Sequence, residues 1–304
     1  MFTHIVVPLD GSSLAEAALP SVATLARLFK ARVTLLHVIE RGVSASVHGD
    51  RHLTHTEEAE MYLADIAKRT FTPDITVTQH VHQEGVRNVP RAIVAHQQEL
   101  TPDIIVMCTH GSGGMRDALF GNIAQQVAAF GDLPLLVIHP VPDSPTTPFT
   151  LDRLLVPIDA EPEHEHGLEM ATQLAQTAGS SIHIVSVVPT AATLSGQQAT
   201  RQRFLPAATH ALLESAEHER SEAIQQRMAD LHAQRIPTTA EIRRGDPSAV
   251  IVDVAEAFAA DLIVLGTHCR IGSDAFWNKS VGATVIRRTQ RPLLLVPANA
   301  PANA

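Results

Sequence analysis

The first stretch that could do chemistry is a glycine loop. Residues 103–122 read Asp-Ile-Ile-Val-Met-Cys-Thr-His-Gly-Ser-Gly-Gly-Met-Arg-Asp-Ala-Leu-Phe-Gly-Asn. The apolar run Ile104 to Cys108 suits a strand buried on both faces. It ends at Thr109 and His110, and glycines follow at 111, 113 and 114. Gly121 and Asn122 open a segment whose Ile123, Val127 and Phe130 share one helical face. A buried strand that passes through a glycine loop into a helix N-terminus turns N–H groups outward beside a partial positive charge. That arrangement holds anions, phosphate above all. A glycine-rich turn kept only for packing is the competing reading, and the two are evenly matched here. The chain has no GxxxxGK[ST] sequence, so a P-loop enzyme is not supported.

Other residue types offer weaker chemistry. Asp10 and Asp159 end matching apolar runs and could accept from ligand hydroxyls or cap the turn that follows. His48, His52 and His55 are spaced four and three apart, and His164 and His166 lie among Glu161, Glu163 and Glu165. Borderline metals such as zinc use these ligands, but the spacings match no complete signature, and no stoichiometric metal is expected. His110 and His268 stand at the mouths of the two glycine segments. Cys108 and Cys269 could sense redox state if a helix N-terminus lowered a thiol pKa; buried apolar filler is the commoner role. No Ser-His-Asp set or paired carboxylates can be placed, so no catalytic residue is assigned.

Composition bounds the elements that must position these residues. The 304-residue chain suits two domains; at 45% hydrophobic and 4% aromatic, its core must be built from aliphatic side chains. Lys and Arg number 10 against 14 Asp and Glu up to residue 140, and 13 against 18 beyond it, so neither half is basic and nucleic acid is not an expected partner. No apolar run nears the roughly 20 residues that span a bilayer. No leader segment is read, and two cysteines suit a reducing compartment, so a soluble cytoplasmic protein is expected.

In chain order, strands are expected at 4–10, 32–39, 74–81, 104–108 and 133–138, with helices at 14–29, 54–70, 86–100 and from 122. Residues 41–52 read as loop. Residues 140–149 hold four prolines and read as a semi-rigid linker. Then the pattern restarts. Residues 153–159 repeat 4–10 at an offset of 149, 261–268 repeat 103–110 at an offset of 158, and 291–296 repeat 133–138 at the same offset. Three blocks in the same order indicate a duplicated domain. The expected units are residues 1–140, a linker over 141–150, a second unit over 151–298 and a frayed tail over 299–304. Alternating strands and helices imply an α/β fold with parallel sheets, and ligands of such sheets sit beyond the carboxyl ends of the strands.

These residues resemble a known family. Val-Pro-Leu-Asp10, Leu-Leu-His-Val38, the Asp103 block and Pro-Leu-Leu-Val137, with their repeats, are similar to a tandem universal stress protein with two UspA-type domains. The resemblance implies two five-stranded parallel sheets flanked by helices, nucleotide-binding in architecture, with pairing along the last strand. Some members bind ATP through Gly-x2-Gly-x9-Gly-Ser/Thr. On this chain that motif falls on Cys108, Gly111, Gly121 and Asn122, and in the second half on Gly266, Cys269, Lys279 and Ser280. Two glycines survive in the first half, whereas in the second the phosphate-proximal glycines are replaced. The family aspartate matches Asp10 and Asp159, and the valine near adenine matches Val38 and Val187. The implied nucleotide contacts are therefore Pro8, Leu9, Asp10, Val38, Met107, His110, Gly111, Gly121 and Asn122, with Asp159, Val187, Gly266 and Ser280 in the second half.

The resemblance thus implies a stress-response regulator that works by ligand binding and protein association, without turnover. An adenine nucleotide, with Mg if it is ATP, is the implied cofactor. Self-association as an intramolecular pseudo-dimer, with homodimers of whole chains, is the implied assembly; neither nucleic acid nor membrane is expected as a partner. A metal- or redox-responsive sensor using His and Cys, and a weak ATPase, stand as alternatives.

Overall fold

A computed structural model of the chain describes residues 1–42, 46–47, 50–109, 122–140, 149–159, 165–190, 193, 206–267 and 281–298. Two compact units emerge. One comprises Met1–Thr150, Cys269–Ser273 and Pro292–Ala304, the other Leu151–His268 and Asp274–Arg291.

The first unit begins with β1 (His4–Pro8), α1 (Ser13–Glu16), α2 (Leu19–Phe29) and β2 (Arg32–Glu40). A short hairpin, β3 (Ser46–Val47) and β4 (Asp50–Arg51), leads to α3 (Thr56–Thr70). Then come β5 (Val77–Val86), α4 (Val89–Leu100), β6 (Ile104–Cys108), α5 (Asn122–Phe130) and β7 (Leu135–Ile138). The sheet order is β5-β2-β1-β6-β7, all neighbours parallel. Central strands are apolar throughout because helices cover both faces: Ile5, Val7, Val33, Leu35, Leu36 and Val106 are fully buried. By contrast β5 reads Val-Thr-Gln-His-Val-His-Gln-Glu-Gly-Val and keeps partial exposure along its length, as suits an edge.

The second unit repeats the plan with β8 (Arg153–Ile158), α6 (Glu165–Ala178), β9 (Ser181–Val188), α7 (Pro206–Ala233), β10 (Thr238–Arg244), α8 (Pro247–Ala257), β11 (Leu262–Thr267) and α9 (Val281–Arg288). Its strands run β10-β9-β8-β11. The chain's last strand, β12 (Leu293–Pro297), belongs to the first unit, where it pairs antiparallel with β7 through Leu293–Val137, Leu294–Leu136 and Leu295–Leu135. The α/β fold with parallel sheets read from the sequence is the fold the chain adopts. No helix among the described residues is long and apolar enough to cross a membrane.

Local departures from the sequence reading have physical causes. The helix expected over 14–29 is two helices, since Pro20 has no N–H to donate to the Glu16 carbonyl, and α2 restarts with Pro20 in its first turn. The strand expected over 74–81 runs from Val77 to Val86, because the Asn88 side chain accepts from Arg91 N at 3.0 Å and sets the start of α4 beyond it. The stretch read as loop over 41–52 contains β3 and β4. Asp50 of that hairpin accepts from Ser13 N at 2.8 Å and Ser13 Oγ at 3.0 Å, tying the hairpin to α1.

Asp103, the first residue of the glycine-loop block, works at the opposite end of its strand. Its Oδ2 accepts from Thr3 Oγ1 at 2.7 Å and His4 N at 2.9 Å, with Thr3 N as a third donor. In the repeat, Asp261 Oδ2 accepts from Asp152 N at 3.0 Å and Arg153 N at 2.9 Å. Each carboxylate thus fastens the start of the unit's first strand to the strand beside it. Asp103→Ala is expected to cost about 2 kcal/mol, since hydrogen bonds to charged groups are the stronger class. Urea unfolding measures it, and an unchanged midpoint would remove this role.

Candidate functional site

In the first unit the chain leaves β1 towards β2 on one side, while β6 pairs on the other. This reversal opens a crevice beyond the carboxyl ends of the strands, the place where such sheets hold ligands. A cavity of about 150 Å³ lies there. Pro8, Leu9 and Asp10 from the end of β1, Val38 from β2 and Met107 from β6 all line it. The structure thus brings together five of the residues named from the sequence. Leu36, Ile93 and Ile123 complete a largely apolar wall, and Ile123 and Ala124 bring the first turn of α5 to its edge. That turn carries backbone N–H groups with no helical acceptor behind them. His110, Gly111 and Gly121 lie outside the described residues, and so does the side chain of Asn122.

Asp10 is held by the turn that follows it. Its Oδ1 accepts from Ser12 N at 3.0 Å and Ser12 Oγ at 2.6 Å, and Ser12 Oγ in turn accepts from Ala15 N at 3.2 Å to cap α1. The capping role open in the sequence is therefore real, and it fixes the carboxylate at the cavity wall.

Sequence reasoning missed His37. It is 1% exposed, yet both ring nitrogens face carbonyl oxygens: Nδ1 that of Leu9 at 2.7 Å and Nε2 that of Leu53 at 3.1 Å. A neutral imidazole has one N–H, so it donates to one of them. Burial holds the ring pKa below its ordinary value, against the opposing pull of the two carbonyls and Asp10. His37 thereby locks the end of β1 to the segment before α3. Its signal in sequence was a lone histidine inside the apolar run Val33 to Ile39. His52 and Glu40 also line the cavity.

Cys108 lines the cavity as well, as a free thiol. Burial, and then the Asp10 carboxylate, push its pKa up to about 12. At neutral pH it is protonated, the state of a small apolar filler rather than a reactive thiolate.

In the second unit Asp159, Val187 and Gly266 lie at the ends of β8, β9 and β11. Arg220 of α7 donates from its guanidinium to the Val187 carbonyl. Gly266 meets a helix: a Cβ on Gly167 of α6 would sit 2.6 Å from Gly266 N, so Gly167 admits the close approach of α6 to β11. Ser280, with His268, Cys269 and Lys279, lies outside the described residues. Among the histidines read as a cluster, His52 is buried, His55 precedes α3 and is exposed, and His48 lies outside the described residues. His166 pairs with Glu169 at 3.2 Å, while His164 lies outside the described residues.

Comparison with known proteins fits this architecture. The model of the Universal stress protein family matches residues 1–139 and again 150–297. A universal stress protein of Mycolicibacterium smegmatis is 24% identical over 310 residues, covering 96% of each chain. Universal stress protein Sll1654 of Synechocystis is 28% identical over 138 residues, 45% of this chain and 86% of that one. Among solved structures, a universal stress protein from Archaeoglobus fulgidus superposes with a TM-score of 0.67 at 18% identity, covering 97% of this chain and 96% of that one. Two family matches in tandem over nearly the whole length, on this fold, leave one assignment: the chain is a member of the universal stress protein family and carries two copies of its domain.

Proposed function

We propose that the first unit binds an adenine nucleotide in the cavity at the ends of β1, β2 and β6, and that the protein acts by binding, without turnover. The observation that carries this is the composition of the wall. Leu36, Val38, Ile93 and Met107 offer an apolar slot for a planar base, and the Met107 thioether suits an aromatic ring. Asp10 stands at the same wall as an acceptor for ribose hydroxyls. The N-terminal turn of α5 supplies donors and partial positive charge for phosphate, with Mg²⁺ accompanying it if the nucleotide is ATP. The absence of turnover is supported by His37, whose ring nitrogens are directed at carbonyls, and by Asp10, whose Oδ1 is taken by Ser12. In sequence β12 closes the second family match, yet it pairs with β7 in the first unit, which supports self-association within one chain along the last strands; pairing of whole chains extends the same proposal. The free Cys108 thiol supports a reducing compartment, the cytoplasm.

Calorimetric titration of ATP into the intact chain tests the site. Saturable binding is expected, with no phosphate released on prolonged incubation. Ala15→Phe, which puts a ring into the cavity from a half-buried position on α1, should weaken binding at least tenfold while leaving the fold intact by circular dichroism. Equal affinity in wild type and variant would place any nucleotide elsewhere, and steady phosphate release would overturn the non-catalytic part.

A further inference from the structure

Away from the cavity, on the edge of the first unit's sheet, three histidines and a glutamate converge. His80 and His82 are two residues apart on β5, so their side chains leave the same face of the strand. His96 and Glu99 are three apart on α4, neighbours on one face of the helix. The His80 and His96 rings meet edge to face with centroids 4.5 Å apart, and those of His82 and His96 lie 5.1 Å apart. His96 is 7% exposed and central: its Nδ1 is 2.9 Å from Glu99 Oε2, and its Nε2 is 3.1 Å from His82 Nδ1. One ligand atom from each of His80, His96 and Glu99 falls within 4.8 Å of the other two.

We propose that His80, His96 and Glu99 form a binding site for a borderline divalent cation of the zinc type, with His82 orienting the central histidine. Two imidazoles and one carboxylate are a ligand set zinc uses in three-residue sites that keep a fourth position for water. Zinc–ligand bonds of about 2.0–2.2 Å in a tetrahedron put donor atoms about 3.3–3.6 Å apart. The spread of donors here exceeds that by little more than 1 Å, within the reach of χ rotations at Glu99 and at the half-exposed His80. Glu99 keeps most of its surface, so a cation can enter from solvent.

The hydrogen-bond polarity makes the site specific. An ionised carboxylate only accepts, so a neutral His96 donates its one N–H from Nδ1 to Glu99, which leaves Nε2 to accept from His82 Nδ1–H. Coordination through Nδ1 requires the other tautomer: through solvent exchange the one ring proton of His96 passes from Nδ1 to Nε2 and that of His82 from Nδ1 to its own Nε2, so no proton is gained or lost and the bond reverses, with His96 donating to His82 Nδ1. Such an outer contact fixes the ring orientation of a metal-bound imidazole. Nothing in this site overlaps the nucleotide cavity's named contacts, so it stands whether or not a nucleotide binds. It also replaces the expectation of no stoichiometric metal, which rested on other histidines.

The test uses the full chain, free of any affinity tag and stripped with a chelator, titrated with zinc chloride by calorimetry and with cobalt(II) by visible absorption. The expected result is one saturable zinc site per chain and d–d bands of four-coordinate cobalt. The double variant His80→Ala, Glu99→Gln, which leaves the buried His96 in place, should weaken zinc at least tenfold and abolish those bands. His55→Ala, an exposed histidine before α3, should change neither. No saturable binding by the wild type, or equal binding by the double variant, would overturn the site.

Discussion

Leu136→Lys is expected to destabilise the chain by about 3–5 kcal/mol, the range for leaving a charge unpaired in a buried site. Leu136 is 2% exposed in β7. On one side it stands opposite Val106 of β6, and on the other opposite Leu294 of β12. Without β12, β7 would be an apolar edge with open N–H and C=O groups, a template for unwanted pairing. The charge would therefore strike the strand on which two others depend. Urea unfolding of wild type, Leu136→Lys and the exposed control Glu60→Lys on α3 measures the effect. The control should stay within about 0.5 kcal/mol of wild type. A Leu136→Lys protein within about 1 kcal/mol of wild type would contradict the burial of β7 between its partners.

A second large effect is expected on acidification, from His4 and His37. His4 is 3% exposed; Arg32 approaches its Nδ1 at 3.1 Å, and its Nε2 is 2.7 Å from Thr34 Oγ1. Burial, then the Arg32 charge, hold its pKa below the ordinary value, with backbone carbonyls and Asp103 opposing. For His37 burial again leads, with His52 adding to it and the Leu9 and Leu53 carbonyls and Asp10 opposing. Both folded-state values are depressed, so on acidification the unfolded chain takes up these protons first. Stability rises with pH in that window and is lost as pH falls below the ordinary histidine value of about 6.5, by at most about 1.4 kcal/mol per pH unit for each proton. The Asp246 carboxylate, depressed by hydrogen bonds from Ser248 and Ala249, loses its contribution only far below, as pH falls through its own folded value. Urea unfolding at pH 7 and pH 5 should show a clear loss in wild type and a flatter profile in His4→Gln, His37→Gln. Parallel profiles would remove both histidines from the account.

Much of the fold was legible because periodicity and repetition are global signals. The run Ile104 to Cys108 suited a short strand covered on both faces, and the repeated blocks indicated two copies of one plan. The break at Ala17–Ala18 was visible in Pro20, but the amphipathic pattern across 14–29 outweighed one residue. Pairing along the last strand was implied by the family resemblance; that Leu293–Leu295 would meet Leu135–Val137 in antiparallel register was not legible, since a strand's apolar character does not name its neighbour's register. Within the site, Pro8, Leu9, Asp10, Val38 and Met107 could be placed because they end strands that topology brings side by side. His37 was missed because a histidine inside an apolar run looks like an irregularity until Leu9 and Leu53 are seen facing its nitrogens. The cluster of His80, His82, His96 and Glu99 was missed for the opposite reason. Its strand and helix spacings are each ordinary, and only the packing of α4 beside β5 joins them.

The nucleotide site in the first unit is tested most directly by photolabelling the intact chain with 8-azido-ATP and mapping the modified peptides by mass spectrometry. The azide sits on the base, so the label reports where adenine lies. Attachment is expected near Val38 or Met107, at the carboxyl ends of β2 and β6, with unlabelled ATP suppressing it. Label confined to residues 153–298, or label that excess ATP does not suppress, would contradict it.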